Sequence, residues 1–162
     1  MTDLRVGLGI DAHAFSADVP LVLGGVRFEY PRGLAGHSDG DVITHALIDA
    51  LLGAAGLGDI GTLFPSDEST PAGIDSLHLL REAAERVHAA GYAVGNADCV
   101  LIGEEPRIAE RRAEMERILR DISGAAVSVR ATTTDRLGFT GRGEGLAAQA
   151  VALLVTTSRH TA

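Results

Sequence analysis

Asp11 and His13 stand two residues apart, directly after the glycine-mixed apolar segment Leu4-Arg5-Val6-Gly7-Leu8-Gly9-Ile10. If that segment is a strand, alternation puts both side chains on one face. His45 lies on the helix-patterned stretch that follows and is placed to approach them. One carboxylate and two imidazoles suit a borderline divalent ion, zinc foremost, with a fourth position left open. Iron or manganese use the same donors. A turn carrying a surface Asp–His pair fits the same spacing. Asp41, His45 and Asp49 repeat at i, i+4 and share a helix face. Such a stripe is either solvated, or a metal ligand with a carboxylate one turn away that orients its other ring nitrogen.

Four further clusters carry polar chemistry. Gly36-His37-Ser38-Asp39-Gly40-Asp41 precedes a helix and suits either a cap or an anion at the helix N-terminus. Asp59-Ile60-Gly61 and Phe64-Pro65-Ser66-Asp67-Glu68 fall in a carboxylate-rich loop. Gly103-Glu104-Glu105-Pro106-Arg107-Ile108 joins a strand to a helix, where α/β proteins place ligand-binding turns and simple connections alike. Thr132-Thr133-Thr134-Asp135-Arg136 offers hydroxyls, a carboxylate and a guanidinium, a set suited to phosphates and magnesium or to a strand end and a turn. The following stretch, 138–145, holds Phe139, Arg142 and Glu144 among four glycines. His78, His88 and His160 read as surface residues, and Cys99 as a buried small side chain. The charges between Glu110 and Arg117 read as a solvated helix face.

The elements that must position these residues follow from pattern. Strands are expected over 4–10, 20–23 and 26–30, the last two joined by the turn signal Gly24-Gly25. A helix starts near 39–41 and is ended or loosened by Gly53, Gly56, Gly58 and Gly61; a second runs from 75 to about 90, stopped by Gly91. Strands are expected over 97–102 and 127–131. Pro106 is placed in the first turn of a third helix that ends near Ser123-Gly124. Residues 146–157 read as a last, nearly all-apolar helix. Alternating strands and helices make the class mixed α/β. The apolar last helix and the many glycine loops suggest a partner subunit.

Composition narrows the function. The chain has 162 residues, 46% hydrophobic and 22% charged, so one folded domain with a real core is expected. A net charge of −8 with no basic block argues against nucleic-acid binding. A single cysteine excludes an internal disulfide framework or a cysteine-rich zinc ribbon. No run approaches the roughly 18 apolar residues of a membrane span. Met1-Thr2-Asp3-Leu4-Arg5 lacks the look of a signal peptide. A cytoplasmic location, with neither nucleic acid nor membrane as partner, is expected.

Taken together, these motifs resemble the 2-C-methyl-D-erythritol 2,4-cyclodiphosphate synthase family of the non-mevalonate isoprenoid pathway. The likeness rests on Gly9-Ile10-Asp11-Ala12-His13-Ala14-Phe15, Gly36-His37-Ser38-Asp39-Gly40-Asp41 and His45-Ala46-Leu47-Ile48-Asp49-Ala50-Leu51-Leu52-Gly53. It continues through Gly58-Asp59-Ile60-Gly61, Ala131-Thr132-Thr133-Thr134 and Leu137-Gly138-Phe139-Thr140-Gly141-Arg142-Gly143-Glu144-Gly145. It spans almost the whole chain, in order. It implies a single α/β (α+β) domain over 1–162, a mixed sheet with helices packed on one face, assembling as a homotrimer with active sites between subunits.

The resemblance also implies roles. Asp11, His13 and His45 would bind zinc or another divalent transition metal. Asp11, Ala12 and His13 also fall among the substrate-binding positions. His37 and Ser38 would contact the substrate's phosphate end, and 59–61 with 64–68 its methylerythritol end. Residues 103–109 and 132–135, from the adjacent subunit, would hold cytidine diphosphate. His37 and Thr133 would stabilise the transition state, and Asp135 would ligate magnesium or manganese. Phe139 and Arg142 would line the trimer axis, where members can hold an isoprenoid phosphate. Three departures from the family's common pattern stand out: Asp135 replaces Glu, Arg136 replaces Lys, and Phe64-Pro65-Ser66-Asp67-Glu68 replaces Phe-Pro-Asp-Thr-Asp. Two rival readings use the same residues: a metal-dependent phosphohydrolase, and a non-catalytic binder of nucleotides or isoprenoid phosphates.

Overall fold

The first strand turns its aliphatic side chains away from the core. In a computed structural model, which describes residues 3–67 and 69–157, β1 runs over Leu4–Ser16, past the expected end at Ile10. Leu4, Val6, Leu8 and Ile10 are exposed at 57–68%. Glycines occupy the opposite face, and they let a helix lie directly on the strand. A Cβ on Gly7 would sit 1.9 Å from the Ala50 carbonyl oxygen, and one on Gly9 1.9 Å from that of Ala46.

The order after β1 is β2 (Leu21–Leu23), β3 (Val26–Phe28), β4 (Gly33–Leu34), α1 (Val42–Ala55), α2 (Ile60–Leu63) and α3 (Ser76–Ala89). Then come β5 (Tyr92–Ile102), a 3-10 turn Ala109–Arg111, α4 (Arg112–Ser123), β6 (Ala126–Thr132), α5 (Gly138–Gly141) and β7 (Gly145–Thr156). The main sheet is ordered β4-β1-β7-β5-β6, and β2 pairs with β3 apart from it. Among the described residues only β5 and β6 run parallel; β1–β4, β1–β7 and β5–β7 are antiparallel. The sheet is therefore mixed, within a mixed α/β fold as the pattern implied.

Helix signals held well. Asp41 caps α1, accepting from the Thr44 amide, and Gly56 closes it at φ 70°. Asp75 caps α3, and Gly124 closes α4 at φ 80°. The β2–β3 turn has Gly24 at φ 56° and Gly25 at φ 74°, as a tight hairpin demands. Helices α1, α3 and α4 cover one face of the sheet. Leu47, Ile48, Leu51, Leu80, Met115 and Leu119 are fully buried between them and the strands.

Two expectations are corrected. Residues 146–157 do not form a helix; 145–156 are the central strand β7. Leu146, Ala148, Ala150, Ala152 and Leu154 pack inward, beneath α1, while Val151 faces out with the aliphatics of β1. A strand with apolar residues on both faces loses the polar alternation that marks strands, so its sequence imitates a buried helix. Pro106 does not open the third helix either. The Glu105–Pro106 peptide is cis, Pro106 lies in the loop, and α4 starts at Arg112. No helix among the described residues is long and apolar enough to cross a membrane.

Candidate metal centre and ligand cavities

Asp11 and His13 continue the Gly7/Gly9 face of β1, so both point towards α1. The close strand–helix contact brings the first turn of α1, and with it His45, over them. His13 Nε2 and His45 Nδ1 lie 2.8 and 3.0 Å from Asp11 Oδ2, and 3.2 Å from each other. These three ligand atoms form a group able to hold a metal ion.

The outer ring nitrogens show what the inner ones can offer a metal. His13 Nδ1 lies 2.5 Å from the Ala35 carbonyl oxygen, an acceptor only, so Nδ1 carries a hydrogen, and in the neutral ring Nε2 is left bare for a metal. His45 Nε2 lies 2.8 Å from Ser76 Oγ and 3.0 Å from Ser38 Oγ. With its proton on Nε2, His45 also presents a bare Nδ1. Two lone pairs and a carboxylate then converge, a donor set suited to a divalent ion. Without an ion, burial opposes the charge on Asp11. A proton then takes the metal's place among these atoms, and hydrogen bonding to the His13 and His45 rings outweighs burial and holds the carboxyl below its ordinary range. The hydrogen bond to Asp11 in turn raises His13, against the cost of its burial.

These residues border a cavity of about 170 Å³ together with His37, Ser38, Ile60, Gly61, Phe64 and Ser66. Much of the expected phosphate and methylerythritol end is thus gathered in one place. His37 Nε2 is tied to the Thr70 carbonyl oxygen at 2.6 Å. Asp59 spends its carboxylate capping α2, accepting from Thr62, and Asp67 accepts from Ser69. Pro65 stands on the same loop and does not line the cavity; Ala12 is exposed on the opposite face of β1. Glu68 and His160 lie outside the described residues.

A second cavity, about 850 Å³, gathers all of 103–109 with Thr132, Thr133 and Arg142. Its wall shares no residue with the first, so His37 and Thr133 face different cavities of one chain. Thr134 does not line it; its hydroxyl donates to the Leu137 carbonyl oxygen at 2.6 Å. Asp135 has φ 52° and sits with its carboxylate 3.5 Å from Thr133 Oγ1. Arg136, at φ 67°, donates its amide to Glu104, tying the two predicted segments together. Phe139 is 43% exposed and lines neither cavity. The sequence reading missed Tyr30, Arg32 and Arg130 on this wall. Arg32 packs its guanidinium 4.3 Å from the Phe15 ring centroid, a long-range pairing with no signature in spacing.

Neither helical carboxylate orients His45. Asp41 is fully buried and accepts from the Gly24, Gly25 and Thr44 amides and the Thr44 hydroxyl. It therefore fills the helix N-terminus that an anion would have used. Asp49 accepts from the Ile60 amide at 2.7 Å. The groups on the His45 ring come from α3 and from the loop before α1. His78 and His88 are exposed; Cys99 is buried, its thiol pushed up to about 12. Of the solvated helix face, Glu116 turns back to accept from the Val129 amide.

Fold and site together define a mixed-sheet α/β protein with a candidate Asp–His–His metal centre. The chain belongs to the YgbB family, whose model matches residues 4–155. Curated relatives named 2-C-methyl-D-erythritol 2,4-cyclodiphosphate synthase include one from Escherichia coli O1:K1 / APEC. It is 52% identical over 159 residues, covering 96% of this chain and 100% of the relative. Another, from Sodalis glossinidius, is 53% identical over 158 residues, with the same coverage. Among solved structures, the bifunctional IspDF of Campylobacter jejuni superposes with a TM-score of 0.92 at 36% identity, covering 96% of this chain and 43% of that one. The IspF–CDP complex of Plasmodium falciparum gives 0.84 at 31%, covering 96% and 97%.

Proposed function

We propose that this chain, as one catalytic domain, converts 4-diphosphocytidyl-2-C-methyl-D-erythritol 2-phosphate to 2-C-methyl-D-erythritol 2,4-cyclodiphosphate and CMP. The observation that carries this is the convergence of three metal donors beside His37 and Ser38 in a cavity, in a chain related end to end to such synthases. The reaction is a phosphorus–oxygen lyase step in the non-mevalonate pathway, run in the cytoplasm. The 2-phosphate oxygen bonds to the β-phosphorus. The bond from that phosphorus to the bridging oxygen breaks, and CMP leaves with the electron pair.

Each residue's work follows from the charges involved. A phosphate attacking a diphosphate is anion on anion, a repulsion of about 1 kcal/mol per unit-charge pair at 4 Å in water and more where water is excluded. Asp11, His13 and His45 would hold a divalent ion, zinc foremost, and Asp135 magnesium or manganese; bound there, the ions would supply positive charge that offsets this repulsion. Ser38 donates to the phosphate. His37 and Thr133 donate where charge gathers on the transferring group. Residues 59–61 and 64–68 surround the methylerythritol. The 103–109 and 132–135 segments hold cytidine diphosphate. Two held ends make ring closure intramolecular in a near-attack geometry. No serine or cysteine nucleophile is required, since the attacking oxygen belongs to the substrate.

The assembly is a homotrimer. The 850 Å³ wall of one subunit completes the 170 Å³ cavity of the next, which explains why the two are separate within a chain. The exposed aliphatic face of β1 and β7 supplies the contact between subunits. Phe139 and Arg142 stand near the axis, where an isoprenoid phosphate would sit.

The test is ³¹P NMR of the protein with the cytidyl substrate, zinc and magnesium. A cyclic diphosphate with stoichiometric CMP is expected. Phosphate or phosphomonoester release without it would mean a phosphohydrolase, and an unchanged spectrum with ligand bound would mean a non-catalytic binder.

A further inference from the structure

Ser76, the first residue of α3, is fully buried, yet it is a polar residue touching a metal donor. Its Oγ lies 2.8 Å from His45 Nε2. The same hydroxyl donates to Asp39 Oδ1. Asp39 is itself held, accepting from the Ser76 amide at 3.1 Å and from the Asp41 amide at 3.2 Å.

A hydroxyl has one proton. With that proton on Asp39, Ser76 Oγ can only accept from the His45 ring, and His45 Nε2 must carry a hydrogen. In the neutral ring the lone pair is then placed on Nδ1, the atom that faces Asp11 and His13. Ser38 cannot impose this choice. Its hydroxyl, 3.0 Å from Nε2, accepts a long 3.3 Å bond from the Gly40 amide and keeps its proton uncommitted, so it suits either ring form.

We propose that Asp39 and Ser76 are positioning residues that lock His45 in the Nε2–H form and thereby set the affinity of the Asp11–His13–His45 centre for a divalent ion. The carboxylate–hydroxyl–imidazole chain also makes Nδ1 a stronger donor. The inference rests on the metal reading proposed above, and it makes α3, an element with no metal ligand, part of the centre.

The experiment uses the full chain and zinc alone. Zinc affinity is measured by chelator competition for the parent, Ser76→Ala, Ser76→Thr and Asp39→Asn. Melting is followed on the metal-free forms, and the ¹⁵N signals of the His45 ring are recorded at alkaline pH without metal. Ser76→Ala weakens zinc binding by about 10- to 100-fold. Ser76→Thr, which keeps the hydroxyl, recovers most of it. Asp39→Asn falls between, and carries the test if Ser76→Ala does not fold. The parent ring shows a protonated Nε2, and Ser76→Ala a mixture of the two neutral forms. A lower metal-free melting temperature with zinc affinity within twofold of the parent would mean only a helix-capping role and would overturn the proposal. A parent that takes up no zinc would instead overturn the metal reading, and this proposal with it.

Discussion

Two lone pairs and a carboxylate aimed at one point repel until something positive sits among them. In the metal-free protein that positive charge is a proton, and it explains why the hydrogen bond to Asp11 raises His13 while Asp11 is lowered. The sign of the linkage follows. His13 contributes stability that is complete below its unfolded value of 6.5 and is lost as pH rises through the higher folded one. Asp11 contributes stability that is complete above 3.8 and is lost only as pH falls through its depressed value. With chelator present, the melting temperature therefore declines from mildly acidic to alkaline pH through this pair, and His13→Gln flattens that decline. Saturating zinc reverses it, since protons compete for the same lone pairs. Equal slopes for parent and variant in chelator would show that the pair does not form. At this scale the sequence was readable where chemistry followed local periodicity. Asp11 and His13 share a strand face, and His45 opens the next helix. The partners of the His45 ring were not readable, because Ser76 comes from 31 residues away and the two nearby carboxylates are spent on other amides.

Strand β1 and helix α1 owe their geometry to what is missing between them. Gly9 lets the Ala46 carbonyl approach to where a side chain would be. Gly9→Ala puts a methyl against backbone that cannot rotate away, so the loss is at least about 1–3 kcal/mol. It also lifts the first turn of α1 off β1, and zinc affinity falls with stability. Gly53, on the same helix, has nothing within 4 Å of its would-be Cβ. Gly53→Ala is thus expected to gain roughly 0.5–1 kcal/mol from helix propensity and to leave zinc affinity alone. Urea unfolding with chelator competition on both variants checks the pair. An unaffected Gly9→Ala would refute the close approach. The helices were legible because caps and glycine stops are local signals, as at Asp41, Gly56 and Gly124. Strand β7 was not, because Ala148, Ala150 and Ala152 lie beneath α1 while Val151, Leu153 and Val155 meet the outward aliphatics of β1, leaving Gln149 as the lone polar residue in its interior to mark the period.

The whole molecule shows an apolar surface that one chain does not cover. Leu4, Val6 and Leu8 stand beside Val155, Leu153 and Val151 across the β1–β7 ladder, forming a stripe on the side of the sheet away from the helices. Soluble chains rarely leave such a stripe to water, and a closed ring of subunits buries it without an open edge. Leu8, 60% exposed opposite Val151, is the place to test this. Leu8→Glu sets a carboxylate in the middle of the stripe, on the exposed face of the sheet. The chain should still fold, and Asp11, His13 and His45 on the other face should still take up zinc. Sedimentation should show the particle mass falling about threefold, from the proposed trimer to single chains. Turnover should fall with it by about 100-fold or more, since losing a wall that positions substrate removes a large part of the gain from proximity. Mixing this variant with Thr133→Ala, whose nucleotide wall is altered but whose β1 face is intact, separates assembly from chemistry. If neither forms a competent site alone and Leu8→Glu cannot join the other, activity stays lost. A Leu8→Glu protein that runs as a monomer and turns over normally would place the complete site within one chain, and the two cavities would then need another explanation.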